Sequence, residues 1–274
     1  MDKGNKLPVT YLFVPANRSD RYAKAFAAGA DAVIVDLEDA VSPEDKGLAR
    51  RALGDWCTAH RDMAAKLIVR INDETTEWFE EDLALANAKG IRTIMLPKAE
   101  LASQIGRVKV ALAPGSTIIP IIETARGLLN VDAVAASASV QRLAFGTLDY
   151  AVDLDLSGDE RGLIYPACRM ALASRAAGLA MPIAGVTADL ADDAALLSDL
   201  AFARACGFTA KLCIHPKQVA LVQQALTPGI QEVEWAQRVI AAAGAGRGAV
   251  QVDGKMVDRP VLLKAQAILD RMPA

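Results

Sequence analysis

The chain has 274 residues, with 30 Lys and Arg against 33 Asp and Glu and a net charge of −3. That length suits one large α/β barrel or two ordinary domains. The acidic balance, with a sequence pI of about 5.5, excludes a basic nucleic-acid surface. Hydrophobic residues make up 53% and aromatics only 5%, so the core is aliphatic and rich in alanine. Met1 to Pro8 carry no apolar signal-peptide core and no apolar run is long enough to span a bilayer. The expectation is a soluble, cytoplasmic protein with no membrane and no nucleic-acid partner.

The first strand is expected at Thr10–Pro15 and a helix over 18–28, closed by Gly29 as a C-terminal cap. The second strand, 31–37, is apolar on both faces, as suits a parallel strand covered on both sides. It ends in Asp36, Glu38 and Asp39. The next helix opens at Ser42-Pro43-Glu44-Asp45, where serine caps, proline takes the first turn and the acids complement the helix dipole. The third strand, 66–72, ends in Arg70 and Asn72, a polar and cationic end that calls for an anion. A helix over 76–89 stops at Gly90. The fourth strand, 93–98, ends in Lys98, and a helix over 101–113 runs into the Pro114-Gly115 turn.

The fifth strand brings Glu123 to its end, a helix covers 125–139, and a sixth strand over 142–148 delivers Asp149. An acidic loop with Asp153, Asp155, Asp159 and Glu160 leads to a helix over 162–177. A seventh strand (182–186), a helix (192–206), an eighth strand (209–215) and a helix (217–226) follow. Eight strand–helix units of ~25–30 residues each make a (β/α)8 TIM barrel over 1–226. The rival, an open doubly wound sheet, lacks the Gly-x-Gly-x-x-Gly turn at its first helix. The remainder, 227–274, reads as a helix near 231–243, a glycine-rich hinge from Gly244 to Gly248, an extended segment and a final helix. It is expected to be a lid or an oligomerisation arm.

In a right-handed β-α-β unit, Glu123 and Asp149 emerge at the same edge of the sheet. With Asp36, Glu38 and Asp39 at that mouth, the acids repel one another unless a cation holds them ionised. A carboxylate-only set points to Mg2+, or Mn2+, rather than zinc; His60 and His215 are the only histidines. Glu123 and Asp149 are expected as the metal ligands. Asp36, Glu38 and Asp39 are expected to orient the metal's waters without touching it. Arg70 either contacts substrate or forms a structural ion pair with Asp36. Lys98 either pairs with an acid or touches substrate, and His215, placed before Pro216, is structural. Cys57, Cys168, Cys206 and Cys213 form no Cys-x-x-Cys pair and read as free thiols.

Six motifs in order carry a resemblance. They are Asp36-Leu37-Glu38-Asp39-Ala40-Val41, Arg70-Ile71-Asn72, Leu96-Pro97-Lys98-Ala99, Ile122-Glu123-Thr124-Ala125-Arg126-Gly127, Phe145-Gly146-Thr147-Leu148-Asp149 and Ile214-His215-Pro216. Together they resemble the citrate lyase β-subunit-like family of the HpcH/HpaI aldolase superfamily, from about Tyr11 to Ile268. The resemblance implies a TIM barrel, Mg2+, and retro-Claisen cleavage of a 3-hydroxyacyl thioester such as a citryl, citramalyl or malyl form. It implies Arg70 as a catalytic and substrate-binding residue, Glu123 and Asp149 on the metal, and Glu123 also near substrate. Pro15-Ala16-Asn17-Arg18 matches a segment near the thioester carrier, which is coenzyme A or an acyl-carrier protein. Met256-Val257-Asp258-Arg259-Pro260 matches a tail segment whose aspartate shuttles protons, often from a neighbouring subunit. Asp258 is therefore a catalytic candidate, with a helix N-cap as the plainer reading, and a homotrimer or hexamer is expected. The alternatives are a β subunit that works only inside an acyl-carrier-protein assembly and a Schiff-base aldolase using Lys98.

Overall fold

The structure is a computed structural model and describes residues 7–245 and 250–272. Eight parallel strands close into a barrel in chain order: β1 (Thr10–Pro15), β2 (Ala32–Asp36), β3 (Leu67–Arg70), β4 (Thr93–Leu96), β5 (Thr117–Ile122), β6 (Arg142–Phe145), β7 (Ala180–Ala184) and β8 (Ala210–Cys213). β1 pairs with β2 on one side and with β8 on the other, so no strand edge is left open. Helices fill the connections, and the fold is the (β/α)8 TIM barrel that the strand–helix alternation predicts.

Side chains alternate along each strand, and every second residue faces the barrel interior. One core cluster joins Ala32 and Ile34 of β2, Ile119 and Ile121 of β5, and Ala210 and Leu212 of β8, with Tyr11, Ile68, Met95, Ala144 and Ile183. The spacing of two identifies this cluster as the filling of the barrel. Continuing the same parity by one more step past the core gives Asp36 after Ile34, Arg70 after Ile68 and Glu123 after Ile121. The polar residues at the strand ends are the topmost members of the interior rows.

Strands β2 and β3 stop earlier than the apolar runs suggest, because Leu37 and Ile71 stay buried while the chain turns out of the ladder. Two local expectations are corrected. The helix expected over 125–139 is two short helices, Ala125–Leu129 and Val131–Ala135, which share the non-helical Asn130. Asp149 does not follow a strand: β6 ends at Phe145, and Asp149 lies in the first turn of the helix Thr147–Asp153. Leu148 prolongs the apolar look of β6, but Tyr150 of that helix folds back to pack edge-on against Phe145, ring centroids 5.4 Å apart. That contact favours a turn and helix over further strand.

The chain divides into two compact units, one up to Val222 and one from Gln223. In the second, the helix Ile230–Ala245 packs on the helix Arg259–Leu269 through Ala236, Val239, Ala265 and Ile268. The segment read as extended is a hairpin of β9 (Val250–Val252) and β10 (Lys255–Val257). It turns on Asp253 and Gly254, both left-handed at φ 50° and 74°, the conformation a two-residue type I′ loop requires. Of the expected hinge, Gly244 belongs to the preceding helix, and Gly246, Arg247 and Gly248 lie outside the described residues. Among the described residues no helix is long and apolar enough to cross a membrane.

Candidate active site

Arg70 is the last residue of β3, and its guanidinium faces the barrel mouth with its ring-like plane over Phe13, 4.9 Å from the centroid. Asp36, its neighbour across the ladder, meets it with two parallel bonds. Nε donates to Oδ1 at 2.7 Å and Nη2 to Oδ2 at 2.6 Å. The same two oxygens accept the backbone N–H groups of Glu38 at 2.9 Å and Ala40 at 3.1 Å. Asp36 is thus spent on Arg70 and on its own turn. The third guanidinium nitrogen, Nη1, sits 2.7 Å from Glu38 Oε2 and 3.6 Å from Asp39 Oδ2. The contact with Glu38 is an ion pair off the N–H axis, which leaves that buried oxygen without a hydrogen-bond donor. Burial pushes the Glu38 carboxyl up to about 7; Arg70 opposes this, Asp39 and Asp36 add to it, and Lys98 offsets a little. Asp39 is the exposed member of the group.

Glu123 follows β5 and is 3% exposed. Its Oε1 accepts the backbone N–H of Lys98 at 2.6 Å. Its other oxygen lies against Gly146, where an added Cβ would overlap Oε2 and come within 2.6 Å of the Glu123 Cβ. Gly146 is therefore required by close approach and not by backbone angle. Burial pushes Glu123 up to about 8; the Lys98 N–H lowers it, Glu38 and Asp149 raise it, and Arg70 lowers it. Among the described residues no Lys, Arg or His nitrogen makes an ion pair with Glu123. Asp149 is exposed on the helix just beyond Gly146, near enough for its charge to act on Glu123.

Lys98 is left-handed, at φ 45°, a conformation that costs a non-glycine residue about 1 kcal/mol or more. The strain turns its N–H onto Glu123, and Gln104 Nε2 holds its carbonyl at 3.2 Å. The half-exposed ammonium lies 3.5 Å from both Glu38 Oε1 and Asp73 Oδ2. Burial lowers its pKa, but Glu38, Asp73, Glu123 and Asp39 together raise it above the usual lysine value. That is the wrong direction for a nucleophilic amine.

A second opening of about 420 Å³ lies where β1 ends, lined among others by Phe13, Pro15, Arg18, Arg21, Lys24 and His215. Arg18 is held by Asp20 through bonds of 2.9 and 2.8 Å. His215 is exposed and its Nδ1 accepts the N–H of Lys217 at 3.2 Å, capping the helix Pro216–Leu226. Asp258 lies in the C-terminal unit, where it is the N-cap of the last helix and accepts the Val261 N–H at 3.1 Å. The barrel thus brings Asp36, Glu38, Asp39, Arg70 and Glu123 to one mouth. Lys46, Asp73 and Asp82, which support that mouth from outside, carry no sequence motif and escaped sequence reasoning. Among the described residues no three or more His, Cys, Asp or Glu are grouped to hold a metal; Mg2+ commonly takes only one or two protein carboxylates.

A parallel barrel with a clamped arginine and buried acids at the carboxyl ends of its strands has the layout of a TIM-barrel enzyme. The chain belongs to the HpcH/HpaI aldolase/citrate lyase family, whose model matches residues 10–216, and with it to the carbon–carbon lyases. A citrate lyase subunit beta-like protein of Mycobacterium tuberculosis is 37% identical over 268 residues, covering 95% of this chain and 94% of the relative. A (3S)-malyl-CoA thioesterase of Cereibacter sphaeroides is 34% identical over 278 residues, with 94% of each chain covered. A crystal structure of CitE from Mycobacterium tuberculosis in complex with magnesium, acetoacetate and coenzyme A matches with a TM-score of 0.82 at 35% identity, covering 96% of this chain and 97% of that one.

Proposed function

We propose that this protein is a Mg2+-dependent lyase that cleaves a 3-hydroxyacyl-CoA thioester of the malyl, citramalyl or citryl type by a retro-Claisen reaction. The observation that carries the reading is Glu123: a buried acid 3% exposed that makes no ion pair with any side chain among the described residues, beside a guanidinium fixed by Asp36. A buried acid without a counter-cation suits a divalent ion. Glu123 and Asp149 would hold it, and Glu38 and Asp39 would orient its waters. When bound, Mg2+ supplies a Lewis acid and a template for a hydroxy or keto acid.

The protein's own groups do the rest. Arg70, its plane fixed by the two bonds to Asp36, offers its remaining N–H groups to the oxygen that gains charge as the bond between Cα and the hydroxyl-bearing carbon breaks. A donor so placed is commonly worth ~3–4 kcal/mol in the transition state. The hydroxyl proton leaves, the hydroxyl carbon becomes a carbonyl, and the thioester fragment departs as an enolate that takes up a proton. Asp258 is the proposed proton carrier, and a homotrimer or a dimer of trimers is the proposed assembly. The opening beside Arg18, Arg21 and Lys24 suits the phosphate of a thioester carrier such as coenzyme A.

The similarity to a malyl-CoA thioesterase supports a second reading, hydrolysis of the same thioester. A panel of malyl-, citramalyl- and citryl-CoA, incubated with Mg2+ or with EDTA and read by mass spectrometry, separates the two. A lyase yields a shortened acyl-CoA and a keto acid; a thioesterase yields free coenzyme A and the intact hydroxy acid. No metal-dependent product from any thioester would overturn the proposal.

A further inference from the structure

The turn that carries Asp36 and Glu38 is held from behind by a lysine that no motif singles out. Lys46 opens the helix Lys46–Ala59 on the outside of the barrel and is 5% exposed. Its Nζ donates to the carbonyls of Leu37 and Glu38, both at 2.7 Å, and lies over the Trp78 ring, 5.2 Å from its centroid. The Leu37 carbonyl takes a second donor, Asn72 Nδ2, at 3.0 Å. Asn72 is itself fixed by Asp82, whose Oδ2 accepts both its side-chain and its backbone N–H, at 2.6 and 2.9 Å. Asp82 is 0% exposed and Arg50 Nη1 reaches its Oδ1 at 3.2 Å. The Leu37 N–H, finally, donates to the carbonyl of Arg70 at 2.9 Å.

We infer that Lys46 is a positioning residue for Arg70: by fixing the Leu37 and Glu38 carbonyls it fixes the two carboxylates that clamp the guanidinium. The inference rests on the reading of the barrel mouth as a substrate site. A buried ammonium is expensive, and two backbone carbonyls in a turn beside solvent can be met by water or a neutral amide at lower cost. Lys46 does something a neutral donor does not. Asp36, Glu38, Asp82 and Asp39 all act on it electrostatically, so its charge offsets the acid surplus of the mouth without occupying the mouth. The front of the turn is thereby left to Arg70 and, at 3.5 Å from Glu38 Oε1, Lys98. Glu38 depends most on this support, because its Oε2 contact with Arg70 is an ion pair without a hydrogen bond to fix its direction.

The test uses Lys46→Met, which keeps the aliphatic stem and removes charge and donors, and Lys46→Gln, which keeps a donor for one carbonyl. The first readout is independent of catalysis. The Arg70 Nε–H resonance, assigned by its disappearance in Arg70→Lys, is followed by 15N–1H NMR for its exchange with solvent. In wild type the bond to Asp36 protects it; in Lys46→Met exchange is expected to be about tenfold faster. The second readout is kinetic, on whichever thioester the wild type cleaves. Supporting partners of this kind are worth about ten- to a hundredfold in activity, expected here in kcat more than in KM, with Mn2+ affinity unchanged. In an Arg70→Ala background the same substitution is expected to cost nothing further, because its effect runs through Arg70. A merely structural lysine would add its loss in both backgrounds. Unchanged Nε–H protection, or additive losses, overturns the inference. If Lys46→Met does not fold, Lys46→Gln is read by the same criteria. If the wild type cleaves no thioester, the proposed function fails, and the NMR comparison still decides the positioning role.

Discussion

Arg70 and Asp36 meet as two parallel forks, Nε on Oδ1 at 2.7 Å and Nη2 on Oδ2 at 2.6 Å, between adjacent strands at the same level of the ladder. Two bonds in one plane fix both the position and the tilt of the guanidinium, and a single ammonium cannot reproduce that. Arg70→Lys is therefore expected to recover little of the activity lost in Arg70→Ala, by comparison of kcat/KM. A lysine variant close to wild type would mean that Arg70 serves as a point charge.

Replacing Glu123 with Gln, or Asp149 with Asn, is expected to abolish metal-dependent activity and to weaken Mn2+ binding, as read by electron paramagnetic resonance, with the circular dichroism spectrum unchanged. The two differ in their effect on stability. Asp149 is exposed, so its change is expected to be neutral, within about 0.5 kcal/mol. Wild-type Mn2+ affinity in either variant would break the assignment of the pair.

Gly146→Ala places a methyl group where Glu123 Oε2 now lies. Because Ile121 Cγ2 is also 3.0 Å from that Cβ, the strain cannot be relieved on that side, and Glu123 must move. Loss of Mn2+ affinity comparable to that in Glu123→Gln is expected. Gly106→Ala is the contrasting change. It lies within the helix Ala102–Ala111 and its Cβ would meet nothing within 4 Å, so a gain of about 0.5–1 kcal/mol in stability is expected, read as an increase in Tm.

Asp258→Ala removes the side-chain acceptor for the Val261 N–H, which is expected to cost about 1 kcal/mol. If Asp258 is also the proton carrier, activity falls far more than stability does. Mixing Asp258→Ala with Glu123→Gln chains, after dissociation and reassembly, then restores activity at a minority of sites if the aspartate serves another copy. An Asp258→Ala variant that is fully active would leave Asp258 as a cap alone.

Lys211 lies in β8 at 2% exposure, with its Nζ 2.6 Å from the Gly185 carbonyl and 3.9 Å from Asp199 Oδ2. Burial lowers its pKa to about 8, against the pull of Asp199. The unfolded chain, with a lysine near the ordinary ~10.4, keeps a proton that the folded chain has released between those values. Stability attributable to Lys211 therefore rises with pH through that window, and the penalty is full below it. The buried thiols of Cys57 and Cys213 are pushed up by burial and act in the opposite sense, so the quantity to measure is the difference between wild type and Lys211→Met. That difference is expected to change in favour of wild type from about pH 8 to pH 10 in chemical denaturation.

The barrel was legible because each buried parallel strand is a short aliphatic run and several of the helices stop at a left-handed glycine, such as Gly29, Gly90 and Gly207. The positions of Asp36, Arg70 and Glu123 were legible for the same reason: a charge ending an apolar run is anomalous. Asp149 was placed on the right edge but on the wrong element, since Leu148 looks like strand and only the packing of Tyr150 on Phe145 makes the segment helix. The β9–β10 hairpin was missed although Asp253-Gly254 is a hairpin dipeptide, because its flanking strands are three residues each and too short to show alternation. Lys46, Asp82 and Lys211 were invisible for another reason. Their partners are backbone carbonyls or distant side chains: Lys46 and Asp82 sit on helices and read as surface until the neighbouring strand is in place, and Lys211, within β8, finds the Gly185 carbonyl only once the barrel closes.

The interior rows of the barrel also bear on which changes in length the chain tolerates. Asp36, Arg70 and Glu123 each stand two residues beyond a core residue of the same row, Ile34, Ile68 and Ile121. Deleting or inserting a single residue within β2, β3 or β5 would turn the charged side chain outward into the helical layer and bring an aliphatic one to the mouth. Length changes beyond the strand ends, such as in the stretch after Asp153, leave that phase untouched. Divergence in substrate range is therefore free to proceed by loop insertion, while the arginine and the acids remain locked to the strand register.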